Sequence, residues 1–247
     1  MARTLADARR WVEQGTLLCQ GALGGLDEES FAAPSLLPGW TRKHLAAHLA
    51  ANGDAVGNLV HWAATGVRTP MYSSPEQRVA DIEAGSTLPG VDLAAWFDRS
   101  AASLAEAMAG LTEAQWAVEV VTAQGRTVPA WETPWMRARE VLVHAVDLGT
   151  GLGFADLPVA FLRELGHDIV GKRRQAPLAD SPEVQVWPVD ADGVTWTLPG
   201  TESGPPVLVF GALADCTAYL AGRGGEQGLR ASRADQPTTI PTLPAWL

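Results

Sequence analysis

Cysteine is scarce in this sequence: Cys19 and Cys216 are the two among 247 residues. They lie far apart and outside any Cys-x-x-Cys spacing, which excludes a disulfide framework and a thiolate metal site and makes a reducing cytoplasm the expected location. Each sits in an apolar helical pattern as an ordinary buried thiol, so thiol chemistry here would draw its sulfur from outside the chain. Positive charge is also short, with 18 Lys and Arg against 28 Asp and Glu and a net charge of −10. Such a field repels phosphate backbones, so no nucleic-acid partner is expected, and an anionic ligand would need placed arginines. No uncharged apolar run approaches the length of a membrane span, so no membrane partner is expected either. The stretch from Met1 to Leu37 carries Asp7, Arg9, Arg10, Glu13, Asp27, Glu28 and Glu29, which is the texture of neither a signal nor a transit peptide.

What is present is apolar substance, 47% of residues, enough for a sizeable core in one large or two modest domains. Up to about Gly151 the periodicity is helical, with helices expected near 3–25, 41–65, 91–111 and 135–150, a pattern that reads as a four-helix bundle. Asp27-Glu28-Glu29 and Pro34 to Gly39 punctuate the first connection, and Thr41 is placed to cap the next helix. Two connections are long, Thr69 to Val91 and Thr112 to Pro134; the former lacks a sustained apolar stripe, and loops of such length are often functional. Beyond Gly151 the texture becomes a helix near 156–173, β-like runs at 184–187, 194–198 and 207–210, and a helix near 211–222. Asp190 to Gly193 reads as a hairpin-like turn, Pro199 to Pro206 as a looser one, and Pro237 to Leu247 as an extended tail. The chain therefore reads as mainly α, with a helical bundle over 1–152 and a small α+β domain over 153–247.

Two segments carry chemistry. In the second, Glu140, His144 and Asp147 fall at i, i+4 and i+7, on one stripe of a helix, flanked by Val141, Ala145 and Leu148 on one side and Leu142, Val143 and Val146 on the other. A polar line amid apolar residues points inward, where an unpaired carboxylate is costly and a cation is a natural partner. In the first segment His44 and His48 are also four apart, so either or both can face the core, and Asp147 can replace or support Glu140. His44 falls in the first helical turn, within reach of water, whereas His48 lies a turn deeper among Leu45, Leu49 and Ala51. The favoured set is His48, Glu140 and His144, with Asp147 orienting an imidazole. Two neutral imidazoles and a carboxylate are a ligand set of catalytic zinc, with a fourth position left open. His61 and His167 have no comparable partners.

The chain resembles the mycothiol-dependent maleylpyruvate isomerases, within the DinB-like superfamily of metalloenzymes. The resemblance rests on Pro38-Gly39-Trp40-Thr41 leading into His48, on Thr69 to Arg78 with Asp81 to Gly85, on Arg139-Glu140 through His144 to Asp147-Leu148-Gly149, and on Gly222-Arg223. It covers most of the chain, and the Met71 to Gly85 segment is its most isomerase-like part. It implies a DinB-like four-helix bundle, a smaller C-terminal α/β domain, and one zinc held by His48, Glu140 and His144. It implies mycothiol as the thiol cofactor, maleylpyruvate as the substrate, and an important arginine in the C-terminal domain, carried here onto Arg223.

The chemistry is coherent with those residues. Turning a cis-alkene conjugated to carbonyl groups into its trans isomer requires the double bond to become single for a time. Addition of a thiolate allows this, and its elimination restores the alkene. Metal coordination deprotonates a thiol outright, and one Zn²⁺ with one carboxylate and two neutral histidines keeps one positive charge for a thiolate to cancel. Guanidinium groups suit the substrate carboxylates. Arg223 is the first candidate; Arg78 is a second, unless it pairs with Glu76 or Asp81; Arg137 shares the Glu140 stripe, with Glu140 or Glu132 as its expected partner. Trp40 stands at the mouth of the His48 helix, and Gly53 and Gly57 allow a close helix approach. Two other functions fit the same residues: a mycothiol S-transferase acting on another electrophile, and a non-catalytic metal-bound module.

Overall fold

The computed structural model of the protein describes residues 3–175, 178–243 and 246. Two compact units emerge, residues 3–152 and 153–247.

The first unit is built on four long helices. They are α1 (Leu5–Gly24), α3 (Arg42–Thr65), α5 (Gly90–Ala109) and α7 (Thr133–Asp147), with a short α2 (Glu28–Ala32) between the first two. Helix α1 packs on α7, α3 packs on both α5 and α7, and α1 also touches α5, which closes the bundle. The starts are set by local chemistry: Thr4 caps α1 through the Asp7 amide, and Thr41 caps α3 through the His44 amide. Gly66, at φ 75°, ends α3 in a left-handed turn that side chains disfavour. At the α1–α7 crossing, a Cβ on Gly15 would fall 2.4 Å from a Val141 methyl, so only glycine permits this approach.

The long connections are not plain loops. Thr69 to Val91 contains α4 (Pro75–Ser86), capped by Ser74 with proline at its first turn, and packed on α3. Thr112 to Pro134 contains α6 (Glu113–Trp116) and a hairpin of β1 (Glu119–Val121) and β2 (Thr127–Pro129), in which Val120 pairs with Val128. Two apolar clusters result. One joins Leu45, Leu49, Phe97, Val141 and Ala145; the other joins Val56, Leu59, Met71, Leu104, Trp116 and Val120. The chain positions between them on α3 and α7 hold buried polar residues, Asn52 and Arg137.

In the second unit α8 (Val159–Arg173) precedes β3 (Val184–Pro188), β4 (Trp196–Leu198) and β5 (Val207–Gly211). Helix α9 (Leu213–Leu220), β6 (Arg230–Arg233) and β7 (Gln236–Pro237) follow. The sheet order is β4-β3-β5-β6-β7, with β3 and β5 parallel and the other pairs antiparallel. Helices α8 and α9 pack on each other and against this sheet. Asp190 does more than turn the chain, since its carboxylate accepts from the Leu213 amide at the start of α9. The expected extended tail begins instead as strand β7, continues to Pro241, whose carbonyl accepts from the Tyr219 hydroxyl, and reaches Pro244, Ala245 and Leu247 outside the described residues. Among the described residues no helix is long and apolar enough to cross a membrane.

Candidate metal centre

Helices α3 and α7 lie side by side in the bundle, and each contributes to one cluster. Oε2 of Glu140 lies 2.9 Å from Nε2 of His48 and 3.3 Å from Nε2 of His144. The two imidazoles stand nearly perpendicular, with centroids 5.0 Å apart. One donor atom from each of the three residues falls within 4.8 Å of the others, the single such His/Glu/Asp/Cys cluster among the described residues. Donors about 2.1 Å from a tetrahedral ion stand ~3.4 Å apart, so the observed separations fit a cation with two nitrogen ligands and one oxygen ligand.

The surroundings fix each group. Nδ1 of His144 lies 2.8 Å from Oδ2 of Asp147, which is completely buried. Burial disfavours the charged His144 ring, yet hydrogen bonds to Asp147 and Glu140 overcome it and push its pKa up to about 9. Burial also raises the Glu140 carboxyl, but hydrogen bonds from His144 and His48 outweigh it and hold Glu140 well below the usual carboxylate range. His48 is pushed down, chiefly by burial. Its Nδ1 lies 3.3 Å from Nη2 of Arg78. A guanidinium only donates, so Nδ1 accepts and the ring proton sits on Nε2, facing Glu140.

His44 does not join the cluster. Its Nδ1 accepts from the Thr41 backbone amide in a reciprocal cap, and its Nε2 lies 3.6 Å from Glu83 on α4. Trp40 stacks on His44 and presents an edge to His48, with centroids 6.4 and 5.5 Å apart, forming one wall of the cluster.

The arginines differ from expectation in instructive ways. Arg78 engages neither Glu76 nor Asp81 in an ion pair; Gln77 takes Asp81, while Arg78 reaches His48 and lies over the Tyr72 ring at 5.8 Å. Arg137, with no exposure, pairs with neither Glu140 nor Glu132 as expected. Its Nη1 donates to the Leu49 carbonyl and to Oδ1 of Asn52, and Glu132 takes Arg3 instead. Arg223, half-buried in the second unit just after α9, donates from Nη1 to the Ala221 carbonyl. Of the glycines on α3, Gly53 lies against Ser100 of α5, whereas a Cβ on Gly57 would meet nothing. Asn52 and Tyr72 escaped sequence reasoning; the one available signal was that Asn52 follows His48 by four positions on the same stripe.

Both cysteines are buried, and burial pushes each thiol up to about 12, so neither is a nucleophile at neutral pH.

The family described as mycothiol maleylpyruvate isomerase N-terminal domain matches residues 18–149. A crystal structure of the mycothiol-dependent maleylpyruvate isomerase is 40% identical, with a TM-score of 0.88, covering 99% of this chain and 98% of that one. A histidine-to-alanine mutant of the mycothiol-dependent maleylpyruvate isomerase is similar at 39% identity, a TM-score of 0.88 and the same coverage. Among curated protein sequences none is a significant match.

Proposed function

The chain belongs to the mycothiol-dependent maleylpyruvate isomerase family, and from that premise we propose that it converts maleylpyruvate to fumarylpyruvate with mycothiol as the thiol cofactor. The observation that carries this reading is the convergence of His48, Glu140 and His144 from two helices on one point. Two imidazoles and a carboxylate support zinc as the ion they hold. When bound, the ion supplies a Lewis acid that keeps a thiol as thiolate beside the alkene.

The protein's own groups do the rest. Asp147 holds the His144 ring so that Nε2 faces the cluster. Trp40 packs edge-to-face with the His48 ring, 5.5 Å between centroids. Arg78, at the rim, offers a guanidinium to a substrate carboxylate. Arg223 of the C-terminal unit is assigned to the same anionic substrate, on the Gly222-Arg223 match alone.

The test is metal analysis of the native protein and of His48→Ala, followed by a maleylpyruvate assay with and without mycothiol. Expected are one zinc per chain, lost in the variant, and turnover that needs both zinc and thiol. Purified protein with both that leaves maleylpyruvate unchanged refutes the reading. A product heavier by the thiol, rather than of unchanged mass, reassigns the protein as an S-transferase.

A further inference from the structure

Helices α3 and α7 run antiparallel, and the contact between His48 and Glu140 is the middle one of three polar connections between them. On one side of it Arg42 of α3 reaches the end of α7. Its Nε lies 2.6 Å from the Leu148 carbonyl and its Nη2 3.0 Å from the Gly149 carbonyl, while Nη1 lies 3.0 Å from the Ser30 carbonyl. On the other side Arg137 of α7 reaches α3, with Nη1 2.7 Å from the Leu49 carbonyl and 2.8 Å from Oδ1 of Asn52. Each helix thus sends one arginine across to the other, and His48, Glu140 and His144 lie between these two anchors along the chain.

Neither arginine is explained by its own helix. Arg42 is the first residue of α3, where the helix dipole disfavours a cation. Its donors go instead to carbonyls outside α3, two of them at the C-terminal end of α7, where carbonyls lack helical donors. Arg137 is completely buried, and its Nε and Nη2 have no hydrogen-bond partner among the described residues. Taking a guanidinium out of water onto one carbonyl and one amide is costly, and an apolar side chain of similar length would fill the space without that cost. What the guanidinium adds is direction. Apolar side chains repack when a helix slides or turns slightly, whereas a hydrogen bond weakens steeply once its length and angle are lost. One such anchor on each side of the ligands restrains both the sliding and the rotation of α3 against α7.

We propose that Arg42 and Arg137 are positioning residues for the metal centre: as reciprocal clamps they set the register of α3 on α7, and so hold His48 where it can share an ion with Glu140 and His144. This rests on the reading of the cluster as a metal site. Such a site is exacting, since ligand distances hold to about 0.2 Å, whereas a slip of one residue moves a helical side chain by ~1.5 Å along the axis and ~100° around it. Charge does not account for the arrangement. A buried cation on the Glu140 helix repels a metal ion, so on charge alone the loss of Arg137 tightens binding. Positioning gives the opposite sign, because a displaced ligand weakens it.

Arg137→Met keeps an unbranched stem and removes the donors. Its zinc affinity, read by competition with a chelator, is expected to fall about tenfold, and the visible ligand-field spectrum of its Co²⁺-loaded form to shift. Arg42→Met, at a half-buried position at the start of α3, should also bind zinc about tenfold more weakly. Arg137→Lys keeps the charge and one donor end, and should fall between Arg137→Met and wild type. Leu104→Ala, a truncation in the other apolar cluster, should lower the urea midpoint and leave zinc affinity and the Co²⁺ spectrum as in wild type. In the metal-free protein, magnetic cross-relaxation between the ring protons of His48 and His144, whose centroids lie 5.0 Å apart, should weaken in both Met variants. If the wild type binds no metal, the metal reading falls and this ring contact still decides the clamp. Should Arg137→Met fail to fold, Arg42→Met decides. Zinc binding as tight as wild type or tighter in the Met variants overturns the proposal, as does an unchanged ring contact or an equal loss of affinity in Leu104→Ala.

Discussion

The Nδ1 of His144 and the Oδ2 of Asp147 lie 2.8 Å apart, one turn along the same helix, with the carboxylate sealed from solvent. The contact fixes which nitrogen of His144 faces Glu140 and makes that nitrogen more basic toward a cation. Asp147→Asn keeps the shape and removes the charge. Metal affinity, read by competition with a chelator, is expected to fall by about 10–100-fold with the helical circular dichroism unchanged. Equal affinity would refute the orienting role.

Metal loading is expected to release a proton. With its pKa pushed up to about 9, His144 is charged in the metal-free protein at pH 7, whereas a ligand must be neutral. Calorimetry in buffers of different ionisation enthalpy should therefore show about one proton released at pH 7, and affinity should rise roughly tenfold per pH unit up to about 9, then level. The same raised value means that the stability His144 lends to the metal-free fold is fully present below its unfolded value near ~6.5 and lost as pH rises through about 9. Metal binding without proton release contradicts this.

Arg78 is expected to oppose a cation held by His48, Glu140 and His144. Nδ1 of His48 accepts from Arg78 as it stands, but a neutral imidazole ligated through Nε2 carries its proton on Nδ1 and cannot accept. Arg78→Met should tighten zinc binding, by about tenfold if roughly one unit of charge interaction is relieved, while lowering turnover. Weaker binding in the variant would show that Arg78 supports the ion instead.

Two glycines offer a contrast in stability. Gly15→Ala would press a methyl against Val141 and Leu142 and should destabilise the protein by about 1–3 kcal/mol. Gly57→Ala meets nothing within 4 Å and should stabilise it by about 0.5–1 kcal/mol. Urea titrations of both check the pair, and a Gly15→Ala protein as stable as wild type would mean that α1 and α7 can separate without loss.

Arg223→Gln tests the C-terminal unit. Zinc content should be unchanged while kcat falls about 100-fold, as for the loss of one charge-stabilising donor. Unchanged turnover removes Arg223 from the mechanism.

Helix α4 was hidden from periodicity because Ile82 is its single buried apolar side chain of any size; one residue makes no stripe. Its signature was local instead, Ser74 before Pro75, a cap and a first-turn proline. The β1–β2 hairpin escaped for a similar reason: three-residue strands that bury Val120 and Val128 alone show no alternation. Strand β6 has no fully buried position, so it too carries no apolar pattern.

The linear chain by itself determined what depends on neighbours a few residues away. The four long helices follow from apolar spacing, the Thr41 start from capping chemistry, and the shared face of Glu140, His144 and Asp147 from the 3.6-residue turn. Tertiary structure decided which face of α3 meets that stripe. It set His48 against Glu140, left His44 to cap its own helix, and placed the Asn52 amide, rather than a carboxylate, before Arg137. The reason is physical: helical spacing sets the angle between residues of one helix, but the rotation and register between two helices come from distant packing, such as the close passage at Gly15.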